Sequence, residues 1–249
     1  MLLEIDFGNT RLKWRLLDAC TFELKVVGAA ASVDGLLVAL QKAGCEKLNF
    51  CRVCSVRTVA DNAELIRFVE SSYGIQPVFA QSEERLAGVK NGYLDASKLG
   101  VDRWLAIVAA FEVIKGPCIV FDCGTAITVD YIDEAGIHLG GAIAPGLKLM
   151  NSMLRNCGGL ADCDDESSVG CLALGRTTDA AVRSGVYGMA AGFIKEAVGL
   201  AQDKLNTGFT VMCTGGDGAL VKQVVSQAVV ESDLVFRGLA IACPYVLSE

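Results

Sequence analysis

Several things that mark common architectures are scarce in this chain. There are 4 prolines in 249 residues and no glycine- or serine-rich tract, so no flexible linker is expected. Lysine and arginine number 22 against 29 aspartates and glutamates, a net charge of −7, and the basic residues are scattered. A nucleic-acid surface needs a basic stripe, so that class of partner is excluded. The longest apolar run, around Trp104–Phe111, is far too short to cross a bilayer. Glu4 and Asp6 lie near the start with no basic stretch before them, so the N-terminus does not read as a signal peptide. Neither GxxxxGK[ST] nor GxGxxG occurs, which removes the P-loop and the dinucleotide fingerprint. The single histidine, His138, sits beside a turn in an expected strand and is given no catalytic role.

Cysteine is plentiful but arranged for nothing covalent. Eleven is an odd number, the residues are spread out, and with no export signal they read as reduced thiols of a cytoplasmic protein. Cys51-x-x-Cys54 lies in an expected strand and lacks the two further ligands of a zinc site. Cys157, Cys163 and Cys171 fall in a Gly- and Asp-rich loop and are likewise given no metal role.

What is present is a large apolar fraction, 52%, enough for one large or two small cores. The N-terminal stretch Leu2–Leu17 reads as strand, tight turn, strand. An apolar run ends in Asp6, Gly8 and Asn9 make the turn, and Leu12, Trp14 and Leu16 alternate with Arg11, Lys13 and Arg15. Asp6 is thereby placed at a hairpin tip beside the amides of Gly8, Asn9 and Thr10. Turn amides attract anionic oxygens, and a carboxylate beside them suits phosphate only with a divalent cation between. An ordinary surface hairpin reads the same way, so this stretch alone decides nothing. The stretch recurs, however. In Cys118–Asp133, Asp122 falls on Asp6, Gly124 on Gly8, Thr125 on Asn9 and Ala126 on Thr10. A repeat at half the chain length implies a duplicated domain with two acidic hairpins facing one cleft.

The remaining order is β-β-β-α-β-α-β in the first half: strands near Phe22–Val27, Leu48–Val56 and Ile75–Ala80, a helix capped by Ser32, and another opened by an Asp61/Glu64 capping box. Ser82–Leu99 is a polar loop. A helix opens at Gly100-Val101-Asp102-Arg103, where Asp102 serves equally as an N-cap with Arg103 solvated. In the second half, strands are expected at Ala126–Ile132, Ile137–Gly141, Phe209–Cys213 and Ser232–Phe236. Gly140-Gly141 and Pro145-Gly146 bracket a tight loop suited to close approach of a ligand. Thr177 or Thr178 caps a long helix whose small residues, Ser184 to Gly192, imply close packing on this chain or a partner. A terminal helix from Arg237 should kink or stop at Pro244.

The motifs DFGNT (Asp6–Thr10), GVDR (Gly100–Arg103), DCGTA (Asp122–Ala126), GGAIAPG (Gly140–Gly146), TTDAAVRSG (Thr177–Gly185), TGGD (Thr214–Asp217) and RGLAIA (Arg237–Ala242) run in order through nearly the whole chain. In this the sequence resembles the type III pantothenate kinases of the acetate kinase/sugar kinase/Hsp70/actin superfamily. The resemblance implies an α/β fold of duplicated ribonuclease H-like (actin-like ATPase) domains, each a mixed five-stranded sheet flanked by helices. The halves would be residues 1–115, with the helix 237–249 packing back on them, and 116–236. It implies ATP-dependent phosphorylation of pantothenate to 4′-phosphopantothenate, the first step of coenzyme A biosynthesis, by a homodimer.

The resemblance also distributes roles. Asp6, Phe7, Gly8, Asn9, Thr10, Arg11, Leu12, Lys13, Thr125, Gly215 and Gly216 would bind the nucleotide, with Lys13 a point charge on phosphate or merely a solvent-facing strand residue. Asp6 would orient Mg²⁺ through water, and Asp122 would help bind a monovalent cation, K⁺ or NH₄⁺. Asp102 would be the general base, and Tyr93, Gly100, Val101, Arg103 and Thr178 would contact pantothenate, Thr178 from across a dimer interface. Phe7 departs from the smaller residue common in the first motif, and its ring is expected to turn into the core. Rival readings are a regulatory protein of the Bvg accessory factor type, another small-alcohol kinase of the superfamily, and an Hsp70-like switch, the last disfavoured because no substrate-binding domain follows the halves.

Overall fold

Alternation of apolar residues builds two sheets with one plan. The structure, a computed structural model, describes residues 1–158, 172–205 and 208–246. It divides into two units, Met1–Ala109 with Asp233–Glu249, and Ala110–Ser232.

In the first unit the sheet order is β3-β2-β1-β4-β5, from β1 (Leu2–Phe7), β2 (Leu12–Leu17), β3 (Leu24–Ala30), β4 (Phe50–Ser55) and β5 (Val78–Phe79). β1 pairs antiparallel with β2 and parallel with β4. One face of β1 and β2 (Leu3, Ile5, Phe7, Leu12, Trp14 and Leu16) makes a core with Leu36 and Leu40 of α1 (Val33–Lys42) and Leu65 and Val69 of α2 (Val59–Tyr73). Phe7 is 5% exposed in this core, so its ring does turn inward. Ser32 caps α1 as expected. The capping box of α2 lies one turn earlier than expected: Thr58 is the N-cap and Asp61 the reciprocal partner, because the threonine hydroxyl reaches the Asp61 N–H.

The polar segment 82–99 is not structureless. It holds a small hairpin, β6 (Arg85–Leu86) with β7 (Val89–Lys90), and a 3₁₀ turn at Ala96–Lys98. Its organiser is the buried Asn91, whose Nδ2 donates to the Glu83 and Ala96 carbonyls at 3.1 and 3.3 Å. α3 (Val101–Ile114) follows.

The second unit repeats the order as β10-β9-β8-β11-β12, from β8 (Cys118–Cys123), β9 (Ala126–Ile132), β10 (His138–Pro145), β11 (Thr210–Thr214) and β12 (Val229–Val230). Its helices are α4 (Leu147–Gly158), α5 (Thr178–Leu205) and α6 (Ala219–Val224). Ala190, Ile194, Ala197 and Ala201 of α5 bury against Ile127, Val129 and Tyr131 of β9 and their neighbours.

The expected strand Ser232–Phe236 is mostly helix. β12 is the two-residue pair opposite Met212 and Cys213, and α7 (Leu234–Ala242) begins just after. Leu234, Val235, Phe236, Gly238 and Leu239 are all buried, which a helix packed on several sides accommodates. α7 ends at Ala242, ahead of Pro244, as the proline requires. A Cβ on Gly238 would lie 2.1 Å from the Leu105 carbonyl of α3, so that glycine permits the helices to touch.

The described cysteines are thiols rather than disulfides. Burial pushes the Cys51 thiol up and that of Cys118 to about 12, so both stay protonated. Cys163 and Cys171, and the side chain of Cys157, lie outside the described residues.

Candidate active site

Most of the expected site residues belong to the first unit. Asp6 is the penultimate residue of β1 and sits in register with Lys13 of β2. Lys13 Nζ is 3.7 Å from Asp6 Oδ2, and the lysine is half-exposed. Burial raises the Asp6 pKa from 3.8 to about 6; Lys13 opposes this and the Asp102 carboxylate adds to it. Lys13 is thus the partly solvated cation facing Asp6 across the strand pair. The intervening turn is Gly8–Arg11, with Asn9, Thr10 and Arg11 exposed. The side chains of Phe7 and Leu12 belong to the core, so a ligand at this turn meets only their backbone.

Asp102 stands in the first turn of α3, one residue inside its start. Its Oδ1 accepts from the Arg103 N–H at 2.8 Å. Gly100 leaves room for that carboxylate, since a Cβ there would lie 2.7 Å from Asp102 Oδ1. Arg103 is not solvated: it is 6% exposed, and its Nη1 donates to the Tyr93 hydroxyl at 2.8 Å. Tyr93 is itself placed by Asn91, whose Oδ1 accepts the Tyr93 N–H at 3.0 Å. Tyr93, Gly100, Asp102 and Arg103 thus form one connected group. Asn91 escaped sequence reasoning; its only sign was a polar residue beside Gly92 in a loop.

In the second unit Asp122 is the penultimate residue of β8, opposite Thr128 of β9 and Thr214 of β11. Gly215 closes on it. A Cβ there would meet the Cys123 carbonyl at 2.3 Å and Asp122 Oδ1 at 2.5 Å, and φ is +87°, so glycine is required twice over. The Asp217 N–H donates to the Cys123 carbonyl at 2.9 Å, tying the Thr214–Asp217 turn to the Asp122 hairpin. Gly146 holds the other side, donating to the Thr125 carbonyl at 2.9 Å, and its own Cβ would fall 2.2 Å from the Gly124 carbonyl. The tight loop expected between Gly140-Gly141 and Pro145-Gly146 is instead the end of β10, and the close approach is that of Gly146 to this hairpin's backbone. Gly216 is exposed beside Gly215. Thr177, not Thr178, caps α5, accepting the Ala180 N–H at 3.2 Å, so Thr178 is the first helical residue and is exposed.

His138 is buried, its Nε2 2.9 Å from Asp130 Oδ1, and that pair is part of the second sheet's interior. Among the described residues no three His, Cys, Asp or Glu side chains converge as a metal cage.

An acid ending the central strand beside a tight turn, built twice on sheets of one order, is the plan of the actin-like ATPase fold that the acetate and sugar kinases share. The acetate kinase of Porphyromonas gingivalis superposes with a TM-score of 0.57 at 13% identity, over 97% of this chain and 98% of that one. A Campylobacter jejuni protein described as a Baf family transcriptional activator gives 0.62 at 21%, over 95% and 94%. The model of the type III pantothenate kinase family matches residues 2–199. Type III pantothenate kinases of Ectopseudomonas mendocina (strain ymp) and Pseudomonas aeruginosa (strain UCBPP-PA14) are 41% and 39% identical over 247 residues, covering 98% of this chain and 99% of each relative. The chain belongs to the type III pantothenate kinase family.

Proposed function

We propose that this enzyme transfers the γ-phosphoryl group of ATP to the primary hydroxyl of pantothenate, in coenzyme A biosynthesis, in the cytoplasm. The observation that best supports the reading is the connected group at the start of α3, where Asp102 stands one residue inside the helix and Arg103 donates to the Tyr93 hydroxyl at 2.8 Å. Phosphoryl transfer asks a protein for alignment and charge neutralisation more than for covalent chemistry. Asp102 accepts the hydroxyl proton as the alcohol oxygen bonds to phosphorus and the bond to ADP breaks. Arg103, held by the Tyr93 hydroxyl, offers a planar fork to the pantothenate carboxylate.

The turn of Gly8 to Thr10 would bind phosphate oxygens, and Arg11, Lys13, Thr125, Gly215 and Gly216 would be further nucleotide contacts. Asp6 would hold Mg²⁺ through water and Asp122 a K⁺ or NH₄⁺ ion. A divalent cation held there would offset the charge of the phosphates. We extend the proposal to a homodimer in which Thr178 reaches the partner's substrate. In support, Gly185, Gly192 and Gly199 recur every seven residues on α5 with nothing within 4 Å of a Cβ there, and Met189 is 67% exposed.

The test is ADP release by the purified protein with pantothenate and with a panel of polyols. Release with pantothenate alone supports the reading; release with polyols instead makes it another alcohol kinase, and none with any favours the regulatory reading.

A further inference from the structure

The turn between β1 and β2 is held from outside the hairpin. Arg57, in the loop between β4 and α2, donates from Nη1 to the Asn9 carbonyl oxygen at 2.8 Å. Asp61, in the first turn of α2, keeps the guanidinium in place: Nε is 3.2 Å from Oδ2 and Nη2 is 3.4 Å from Oδ1. Thr58 in turn holds Asp61, through a hydroxyl bond to Oδ2 at 2.8 Å. The guanidinium also lies 5.2 Å from the centre of the Phe7 ring, a cation–π distance. The loop backbone is tied to the same place, the Val56 N–H donating to the Phe7 carbonyl at 3.3 Å. Phe7, the unusual residue in the first motif, thus serves as a platform for Arg57.

Peptide planarity turns this contact into a statement about the next amide. The Asn9 carbonyl and the Thr10 N–H belong to one trans planar unit and point in opposite directions. Anchoring the oxygen aims the N–H at the far side of the turn. A flip of this peptide would turn ψ of Asn9 and φ of Thr10, and the external anchor opposes it. A flip would break a bond whose donor is charged, the stronger kind.

We propose that Arg57 is a positioning residue for phosphoryl transfer: by holding the Asn9 carbonyl it fixes the backbone of the β1–β2 turn in the shape that meets the nucleotide phosphates. This rests on reading that turn as a phosphate clamp. Arg57 acts through the turn, and its planar fork, spanning Asn9 and Asp61 at once, is what the role demands.

The test joins hydrogen exchange of the unliganded protein to steady-state kinetics. In Arg57→Ala, amide exchange across residues 6–13 should quicken about tenfold, the worth of one such hydrogen bond, with α2 unchanged. The KM for ATP should rise about tenfold while that for pantothenate stays within about twofold. Lysine at this position keeps the charge but loses the fork, so Arg57→Lys should behave like the alanine variant. Asp61→Asn should give smaller shifts of the same sign, and it decides the matter if Arg57→Ala does not fold. Unchanged exchange in residues 6–13, equal rises in both KM values, or full activity of Arg57→Lys would each overturn the proposal. Should the unmutated protein fail to phosphorylate pantothenate, the functional reading falls, and the exchange experiment still decides whether Arg57 holds the turn.

Discussion

The two halves share a plan to the level of single residues and differ in where they place charge. β1 and β8 have the same alternation of burial, with the partly exposed residue at Asp6 and at Asp122. Each pairs antiparallel with the following strand and parallel with a later one. Two positions before the acid, however, the first half has Glu4 and the second Val120. Glu4 is fully buried between Arg15 and Arg52, Arg52 Nε donating to its Oε1 at 2.7 Å. Arg15 also reaches Asp233 at 3.0 Å, and Arg52 reaches the Cys243 carbonyl at the end of α7 at 3.0 Å. In the second half the residue facing Val120 is Asp130, and it pairs with His138 instead. The lesson is that one sheet face tolerates either an ionic cluster or an apolar residue, and the ionic version is used where a helix from the far end of the chain must be fastened to the sheet.

The comparison can be broken most sharply at the chemistry. A proton acceptor is assigned to α3 in the first half alone, so Asp102→Asn should lower kcat about 10³-fold with the melting temperature unchanged. Full turnover would remove Asp102 from the mechanism. Next comes the buried cluster. Glu4→Gln leaves two arginines facing a neutral amide and should cost about 3–5 kcal/mol in denaturant unfolding. Asp130→Asn, opposite a lone histidine, should cost about 1–3 kcal/mol. Equal losses would erase the distinction drawn between the halves.

Asp6 gives an effect of opposite sign. Its pKa rises on folding from 3.8 to about 6, so the folded protein binds the proton more tightly than the unfolded chain. The charged carboxylate therefore costs the unliganded protein stability above pH 6, and that cost disappears as pH falls from about 6 to below 3.8. Asp6→Asn should stabilise the metal-free protein by up to ~3 kcal/mol at pH 7 while weakening Mg–nucleotide binding. Thermal melts with and without MgATP would show it, and a destabilised apo variant would refute it. The last change is Gly215→Ala. Its methyl would press on Asp122 and on the Cys123 carbonyl, a strain of about 1–3 kcal/mol, with KM for ATP rising. An unaltered KM would separate that turn from the nucleotide.

Much of this was legible early because it is local. The duplication, the two acid-ended strands, the Ser32 cap and the stop before Pro244 each follow from a few adjacent residues with fixed stereochemistry. The errors were local as well. The α2 capping box was assigned to Asp61 and Glu64 because that spacing also fits the rule, and Thr58 won because its hydroxyl reaches the Asp61 amide. Ser232–Phe236 has a strand's apolar content, but burial on several sides made most of it helix. Neighbours in the chain leave Arg103 either solvated or a substrate contact, and its bond to Tyr93, ten residues earlier, is what buries it.

By itself the sequence determined the repeated strand–turn–strand units and the residue types available at each tip, because period-two patterning and turn chemistry are carried by neighbours in the chain. Tertiary structure alone decided that Asp102 perturbs Asp6, that Arg57 grips Asn9, and that Glu4 is neutralised by two arginines and linked through Arg52 to α7. Those depend on distances between residues tens to hundreds of positions apart, and charge and hydrogen bonding act through space, where chain order is silent.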